Sequence, residues 1–248
     1  MVGLIHSIET FGTVDGPSIR LVVFTKGCPM RCLYCHNPDT WSSDNAKLMS
    51  AEEILDLYDR NKAYYQGGGI TISGGEPLMQ IDFLIDLLKK AKEKDIHTCV
   101  DTSGVLFNKI KKEKMDELIK YVDLFLLDIK QIDNEKHIKL TNHSNVNILA
   151  FAEYLSENKI ATTIRHVIVK GYSDDKQDLY ELGRFIGKLK SVKSLEVLPY
   201  HDLAKDKYKQ LNIDYVLKDV PVTSKQEAIE AKKHILAGIV SIRKKVCG

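Results

Sequence analysis

What most constrains this chain is an alternation of two periods. Short β-branched runs at 19–24, 69–73, 97–101, 124–129, 162–169 and 195–199 are separated by longer stretches whose apolar residues recur near every 3.6 positions. Ile54, Leu55, Leu57 and Tyr58 form one such stretch, and Phe83, Leu84, Leu87 and Leu88 another; 148–155 and 179–186 continue the series. Ser50 followed by Glu53 predicts a capping box at the first of these helices. Asp174 or Asp175 predicts the N-cap of a helix starting near Gln177. Strands alternating with helices pair in parallel through right-handed crossovers, which places the chain in the α/β class. Six strand–helix units fall short of the eight of a closed barrel, leaving a partial, open (β/α)6 TIM-like barrel or a doubly wound sheet.

The rest of the chain narrows the function classes. No fixed-period repeat, low-complexity tract or Pro/Gly/Ser-rich linker interrupts it, so 1–248 reads as one domain. No apolar run approaches the ~20 residues of a membrane span. The start, Met1-Val2-Gly3-Leu4-Ile5-His6, lacks the basic-then-apolar pattern of an export signal. A formal charge of 36 − 34 = +2 does not call for nucleic acid as partner. Five cysteines are an odd set, and without an export signal they do not read as a disulfide framework.

Polar residues that break the core pattern gather where the strands end. A cysteine loop follows the first run, and Ser73-Gly74-Gly75-Glu76-Pro77 follows the second. Asp101-Thr102 closes the third, Asp128 and Lys130 the fourth, and His201 comes just after the sixth. Ligands of α/β folds bind at the carboxyl ends of strands, so these positions nominate one site. The loop Cys28-Pro-Met-Arg-Cys32-Leu-Tyr-Cys35 carries three thiols at C-x3-C-x2-C spacing. Structural zinc takes four ligands, commonly in paired C-x2-C arrangements, and no partner pair exists here. Cys99 lies inside a strand pattern as a buried thiol, and Cys247 is the penultimate residue. Three thiolates suit an iron–sulfur cubane that keeps one iron open. Other features have plainer readings. Gly74-Gly75 is a tight strand-to-helix turn with Pro77 opening the next helix, and Gly67-Gly68-Gly69 is a flexible entry into its strand. Asp128 and Lys130 share a strand face, while Arg165 and His166 face opposite ways, with Arg165 the inward one. The lysines around 89–94 and 109–114 are solvated helix faces.

Cys28-x3-Cys32-x2-Cys35, with Tyr34 before the last cysteine, resembles the signature of the radical S-adenosylmethionine superfamily. Thr13-Val14-Asp15-Gly16-Pro17, Cys35-His36-Asn37, Asp39-Thr40-Trp41, His97-Thr98-Cys99, Leu127-Asp128-Ile129-Lys130-Gln131 and Leu198-Pro199-Tyr200-His201 extend the resemblance to its branch of pyruvate formate-lyase activases. The resemblance implies the open barrel rather than the doubly wound sheet. It implies a [4Fe–4S] cluster on Cys28, Cys32 and Cys35, whose free iron is chelated by S-adenosylmethionine. It further implies that one electron cleaves the sulfonium and that the resulting 5′-deoxyadenosyl radical takes a hydrogen from a glycine Cα of the partner enzyme.

The resemblance also distributes roles. Tyr34, Cys35, His36, Gly74, Gly75, Glu76, Asp128, Ile129, Lys130, Arg165 and His201 bind the cofactor, and Asp101 with Thr102 holds a monovalent cation. Asp15 lies beside the substrate peptide, the glycine loop of pyruvate formate-lyase, with Ser18 standing where the family commonly has glycine. Flavodoxin or ferredoxin is the implied electron donor, and the work is cytoplasmic, with neither membrane nor nucleic acid involved. Activases of other glycyl-radical enzymes often carry a cysteine-rich insert, whereas the 38 residues between Cys35 and Gly74 contain no cysteine. A zinc-binding interaction module is the rival of a different class.

Overall fold

Residues 20–25 are almost wholly buried, and Leu21, Val22 and Val23 have no exposed surface. A strand covered on both faces lies inside a sheet rather than at its edge, and this one has an antiparallel neighbour at 2–12 and a parallel one at 69–74. The computed structural model describes residues 1–246, with side chains through Lys244. The chain divides into two compact units, Met1–Pro29 with Thr40–Leu127 and Met30–Asp39 with Asp128–Gly248.

The first unit runs β1 (Val2–Gly12), β2 (Arg20–Thr25), β3 (Lys47–Ser50), α1 (Ala51–Asn61), β4 (Gly69–Gly74), α2 (Ile81–Glu93), β5 (His97–Thr102), α3 (Lys112–Leu118) and β6 (Leu124–Asp128), whose last residue falls in the second. Its strand order is β3-β1-β2-β4-β5-β6. β2, β4, β5 and β6 pair in parallel, with Val22 opposite Thr71, Ile70 opposite Thr98 and Cys99 opposite Leu124. β1 and β3 add antiparallel strands that the sequence reading did not foresee. The reason is composition: in β1 the polar His6, Ser7, Glu9 and Thr10 interrupt what would otherwise be an apolar run.

Helix starts follow their caps. Ser50 Oγ accepts from Glu53 N at 3.2 Å while Glu53 Oε2 accepts from Ser50 N at 2.7 Å, the expected capping box of α1. α1 buries Ile54, Leu55 and Tyr58, and α2 buries Phe83, Leu84, Leu87 and Leu88. The glycines before β4 are a correction. A Cβ on Gly68 would stand 1.8 Å from the Ile19 carbonyl, and one on Gly69 1.9 Å from that of His97. Close backbone approach, not flexibility, requires them. The lysine faces also prove to be paired across elements, Lys92 with Asp123 at 2.8 Å and Lys94 with Asp59 at 2.6 Å.

The second unit carries α4 (Asn134–Thr141), α5 (Val146–Glu157), β7 (Thr162–Ile168), α6 (Lys176–Lys188), β8 (Val192–Pro199), α7 (Lys205–Gln210) and α8 (Lys225–Val246). β7 and β8 are parallel, with Arg165 opposite Glu196. Asp175 caps α6, accepting from Gln177 N and Asp178 N at 3.0 Å each. α8 opens on a second capping box, Ser224 with Glu227, a sequence signal present but not read. A Cβ on Gly238 would meet the Tyr180 carbonyl at 2.1 Å, so glycine sets the close crossing of α6 and α8. Cys247 lies outside the described residues. Among the described residues, no helix is long and apolar enough to cross a membrane.

Candidate active site

The glycine turn after β4 is built by backbone. Gly74 has φ +109°, and a Cβ there would stand 2.3 Å from Thr25 N; one on Gly75 would stand 2.3 Å from Gly27 O. Gly75 N donates to Thr25 O at 2.9 Å and Glu76 N to Gly27 O at 2.8 Å. The turn is thus laced to the segment that leads into Cys28. With both amides in use, acceptor oxygen is what it can offer a ligand.

Glu76, 1% exposed, ties this turn to the end of β5. Its carboxylate accepts from Leu78 N at 3.2 Å, Ser103 N at 3.0 Å and Ser103 Oγ at 2.5 Å, and also from Thr102 Oγ1. Burial pushes its pKa above the usual carboxylate value despite these donors. Thr102 Oγ1 in turn accepts from Gly104 N at 3.0 Å. Ser73 Oγ donates to Asp101 Oδ2 at 2.8 Å. The sequence reading missed Ser103, although it directly follows Asp101-Thr102.

Asp15 stands elsewhere in the same unit. Its carbonyl accepts from Thr71 Oγ1 at 2.6 Å, at the amino end of β4. Arg20, fully buried, donates to Thr71 Oγ1 at 2.6 Å, Pro17 O at 2.7 Å and Ile70 O at 3.0 Å. The 13–18 loop therefore sits at the opposite strand ends from Gly74, Glu76, Asp101 and Thr102. Ser18 has φ +58°, a conformation that glycine adopts without strain.

The cysteine loop spans the division between units. Cys28, in the first, is fixed by donation from its N–H to Trp41 O at 3.2 Å. Cys32 and Cys35, in the second, are joined by Cys35 N donating to Cys32 O at 3.0 Å. None of the described cysteines is in a disulfide. Among the described residues, no three Cys, His, Asp or Glu side chains stand close enough to hold one metal ion. Burial pushes the Cys32 thiol up to about 12, with the Lys130 ammonium working against it.

Around Cys32 the second unit assembles the other expected residues. Lys130 Nζ lies 5.5 Å from the ring centroid of Tyr34, which is buried, and 2.8 Å from Asp128 Oδ2. Burial opposes both charges of that pair. Asp128, Tyr34 and Cys32 nevertheless hold Lys130 well above its usual value, and Lys130 with Arg165 holds Asp128 below its own. Arg165 Nε is 3.4 Å from Glu196 Oε2. His166 turns to the other face, where its Nδ1 meets Ile129 O at 2.7 Å. That is the alternation expected of neighbours on a strand. Ile129 is fully buried, and its N donates to Arg165 O at 3.0 Å.

His36 and His201 stack, ring centroids 3.9 Å apart, and His36 Nε2 donates to His201 O at 3.3 Å. Burial, and then His201, lowers His36 to about 4. His201 Nδ1 is buried without a hydrogen-bond partner. Lys207, which nothing in the sequence singled out, donates to Asn37 Oδ1 at 2.9 Å and reaches Asp39 Oδ1 at 3.3 Å. The donor set fits an iron–sulfur cluster with a bound nucleoside. It offers soft thiols on one loop, a buried ammonium beside Cys32 and an unpartnered buried imidazole nitrogen.

Residues 22–183 match the model of the Radical SAM superfamily. The chain is 50% identical over 234 residues to the pyruvate formate-lyase-activating enzyme of Staphylococcus aureus (strain USA300), covering 92% of this chain and 93% of that one. Among solved structures it resembles a domain of the pyruvate-formate lyase-activating enzyme from Bacteroides vulgatus, with TM-score 0.57 and 26% identity over 69% of this chain and 94% of that one. It also resembles Streptococcus suis SuiB bound to S-adenosylmethionine, with TM-score 0.62 and 21% identity over 88% of this chain and 46% of that one. The latter likeness shows the fold, an α/β architecture with an open parallel sheet.

Proposed function

Because the chain belongs to the radical SAM superfamily, in its branch of pyruvate formate-lyase-activating enzymes, we infer that it installs a glycyl radical on pyruvate formate-lyase. When bound, a [4Fe–4S] cluster and S-adenosylmethionine supply the reductive cleavage and the carbon radical that takes the glycine hydrogen. We assign the cluster to Cys28, Cys32 and Cys35. The observation that carries the reading is the setting of Cys32, a buried thiol on a loop of three cysteines with the Lys130 ammonium beside it.

The remaining residues bind and orient. The Gly74-Gly75 turn, with its amides used internally, presents acceptor oxygen to an ammonium group. Glu76 acts by holding Thr102 and Ser103, since its carboxylate is already saturated with donors. Lys130, kept charged by Asp128, suits a carboxylate or ribose oxygen. Arg165 is held by Glu196, and Ile129 contributes main chain. His201, supported by the ring of His36, presents Nδ1 to the adenosine portion.

For Asp101 and Thr102 we propose a monovalent cation. Thr102 offers it one hydroxyl lone pair, the hydroxyl being otherwise engaged by Glu76 and Gly104. On the resemblance, Asp15 lies beside the partner's peptide, at the strand ends opposite Gly74, Glu76, Asp101 and Thr102. We treat 1–248 as one functional domain, since the family match draws on both units. On the resemblance, flavodoxin or ferredoxin supplies the electron in the cytoplasm.

The test is anaerobic reconstitution with iron and sulfide, followed by electron paramagnetic resonance of the reduced protein with and without S-adenosylmethionine. A [4Fe–4S]⁺ signal that changes on addition, with a glycyl radical appearing on added pyruvate formate-lyase, is expected. A colourless protein that retains zinc and gives no signal overturns the reading.

A further inference from the structure

His137 is fully buried in α4 and has no part in the roles assigned above. Its Nδ1 lies 2.6 Å from His143 O, so Nδ1 carries the hydrogen and donates. Nε2 is then an acceptor, and it is buried without a partner. An apolar side chain of the same size would avoid the cost of that orphan nitrogen. It would lose the bond to His143 and the 3.1 Å contact of Nδ1 with Thr141 Oγ1.

That bond shapes the end of α4. Asn142 turns into the left-handed region, φ +61°, and its N donates to Ile138 O at 2.8 Å. The reversal brings His143 back over the last turn, where Thr141 Oγ1 accepts from His143 N at 3.2 Å and donates to His137 O at 2.8 Å. The final carbonyls of a helix have no donor within it, and here the cysteine loop supplies two. Arg31 N donates to Thr141 O and Leu33 N to Leu140 O, each at 3.0 Å. Cys32 is the residue between them. It therefore hangs from the last turn of α4 by the amides on either side.

We propose that His137 is a positioning residue for the cysteine loop, its Nδ1–H fixing the end of α4 whose carbonyls hold Arg31 and Leu33. The inference rests on Cys32 being a cluster ligand. It separates His137 from a core histidine whose replacement lowers stability but leaves the loop unaffected. It also states which ring nitrogen matters, and two amides can tell them apart. Asn places its –NH2 near the position of Nδ1, and Gln places its own near that of Nε2.

The experiment reconstitutes the wild type and the variants His137→Asn, His137→Gln and His137→Phe. It then follows iron loss from the oxidised enzyme to a chelator, and the change in the reduced signal on adding S-adenosylmethionine. Circular dichroism of the apo proteins checks folding. His137→Asn is expected to behave as wild type. His137→Gln and His137→Phe are expected to lose iron about fivefold faster, as for one lost hydrogen bond, with an altered signal. If the Phe variant fails to fold, the Asn and Gln pair decides. Wild-type behaviour in every variant, rescue by Gln rather than Asn, or failure of Asn overturns the proposal. Cys32→Ala is the control: retention of a full cluster in that variant overturns the ligand assignment, whatever His137 does.

Discussion

The imidazole of His36 lies on that of His201, 165 positions away in the chain, with the planes inclined by 25° and His36 Nε2 donating to the His201 carbonyl. The contact joins the residue behind the last cysteine to the segment leaving β8. It is reinforced by Lys207, in the first turn of the next helix, which reaches Asn37 and Asp39. Stacking of this kind holds a ring in place while leaving its outward edge free for a ligand.

Lys207→Met should loosen the 36–39 stretch and little else. The lysine side chain is 40% exposed, so the global cost should stay below about 1 kcal/mol in urea unfolding. Kinetics should show KM for S-adenosylmethionine raised several-fold with kcat nearly unchanged. A fall in kcat at constant KM would place the lysine in the reaction step instead.

Glu76→Gln replaces an acceptor of four donors with a group that carries two hydrogens of its own. Those hydrogens must face Ser103 or Thr102. The apo protein should lose about 2–3 kcal/mol in thermal or chemical unfolding. A loss under 0.5 kcal/mol would mean that the carboxylate is already protonated in the native state.

Stability should fall on mild acidification. Burial lowers His137 to about 4 and also lowers fully buried His166. A folded pKa below the unfolded value of about 6.5 means that stability from the neutral ring is complete above that pH. It is lost as pH drops toward 4. Glu76, raised by burial, works in the opposite sense at the acid end of this range. Comparing wild type with His137→Asn between pH 7.5 and 5 isolates the histidine. The variant should lose less stability over the interval, and a steeper loss would contradict the assignment.

The loop at 13–18 stores local strain at Ser18, whose φ is +58°. Ser18→Gly removes a left-handed cost of about 1 kcal/mol and adds a similar unfolded-state entropy, so its stability should stay within about 0.5 kcal/mol of wild type. Ser18→Val should destabilise by more than 1 kcal/mol, because a β-branched residue tolerates this φ poorly. Urea midpoints of both variants check the ordering.

Cys99 is fully buried in β5, paired in register with Leu124. Cys99→Ala should leave cluster content, measured as iron and sulfide per chain, unchanged. Loss of the cluster would show that a fourth thiol had been misjudged.

Much of this protein is readable along the chain. The parallel strands, the capping boxes at Ser50 and Ser224 and the three-thiol loop are local patterns, set by side chains a few residues apart. What escaped the reading is of another kind. β1 intersperses polar pairs, His6-Ser7 and Glu9-Thr10, among apolar residues and so resembles an exposed segment until β2 pairs with it. Gly68 and Gly69 look flexible until the carbonyls of Ile19 and His97 arrive against them.

The same division holds at the site. Cysteine spacing and strand-end polarity determined which residue types were available and on which loops. Tertiary structure decided their company: Ser103 beneath Glu76, Glu196 opposite Arg165, Lys207 against Asn37, and the end of α4 under Cys32. Each joins positions far apart in the chain, the last of them through main-chain amides and carbonyls that every residue carries alike. Their meeting depends on register and turn conformation rather than on side-chain pattern, and only the folded backbone sets those.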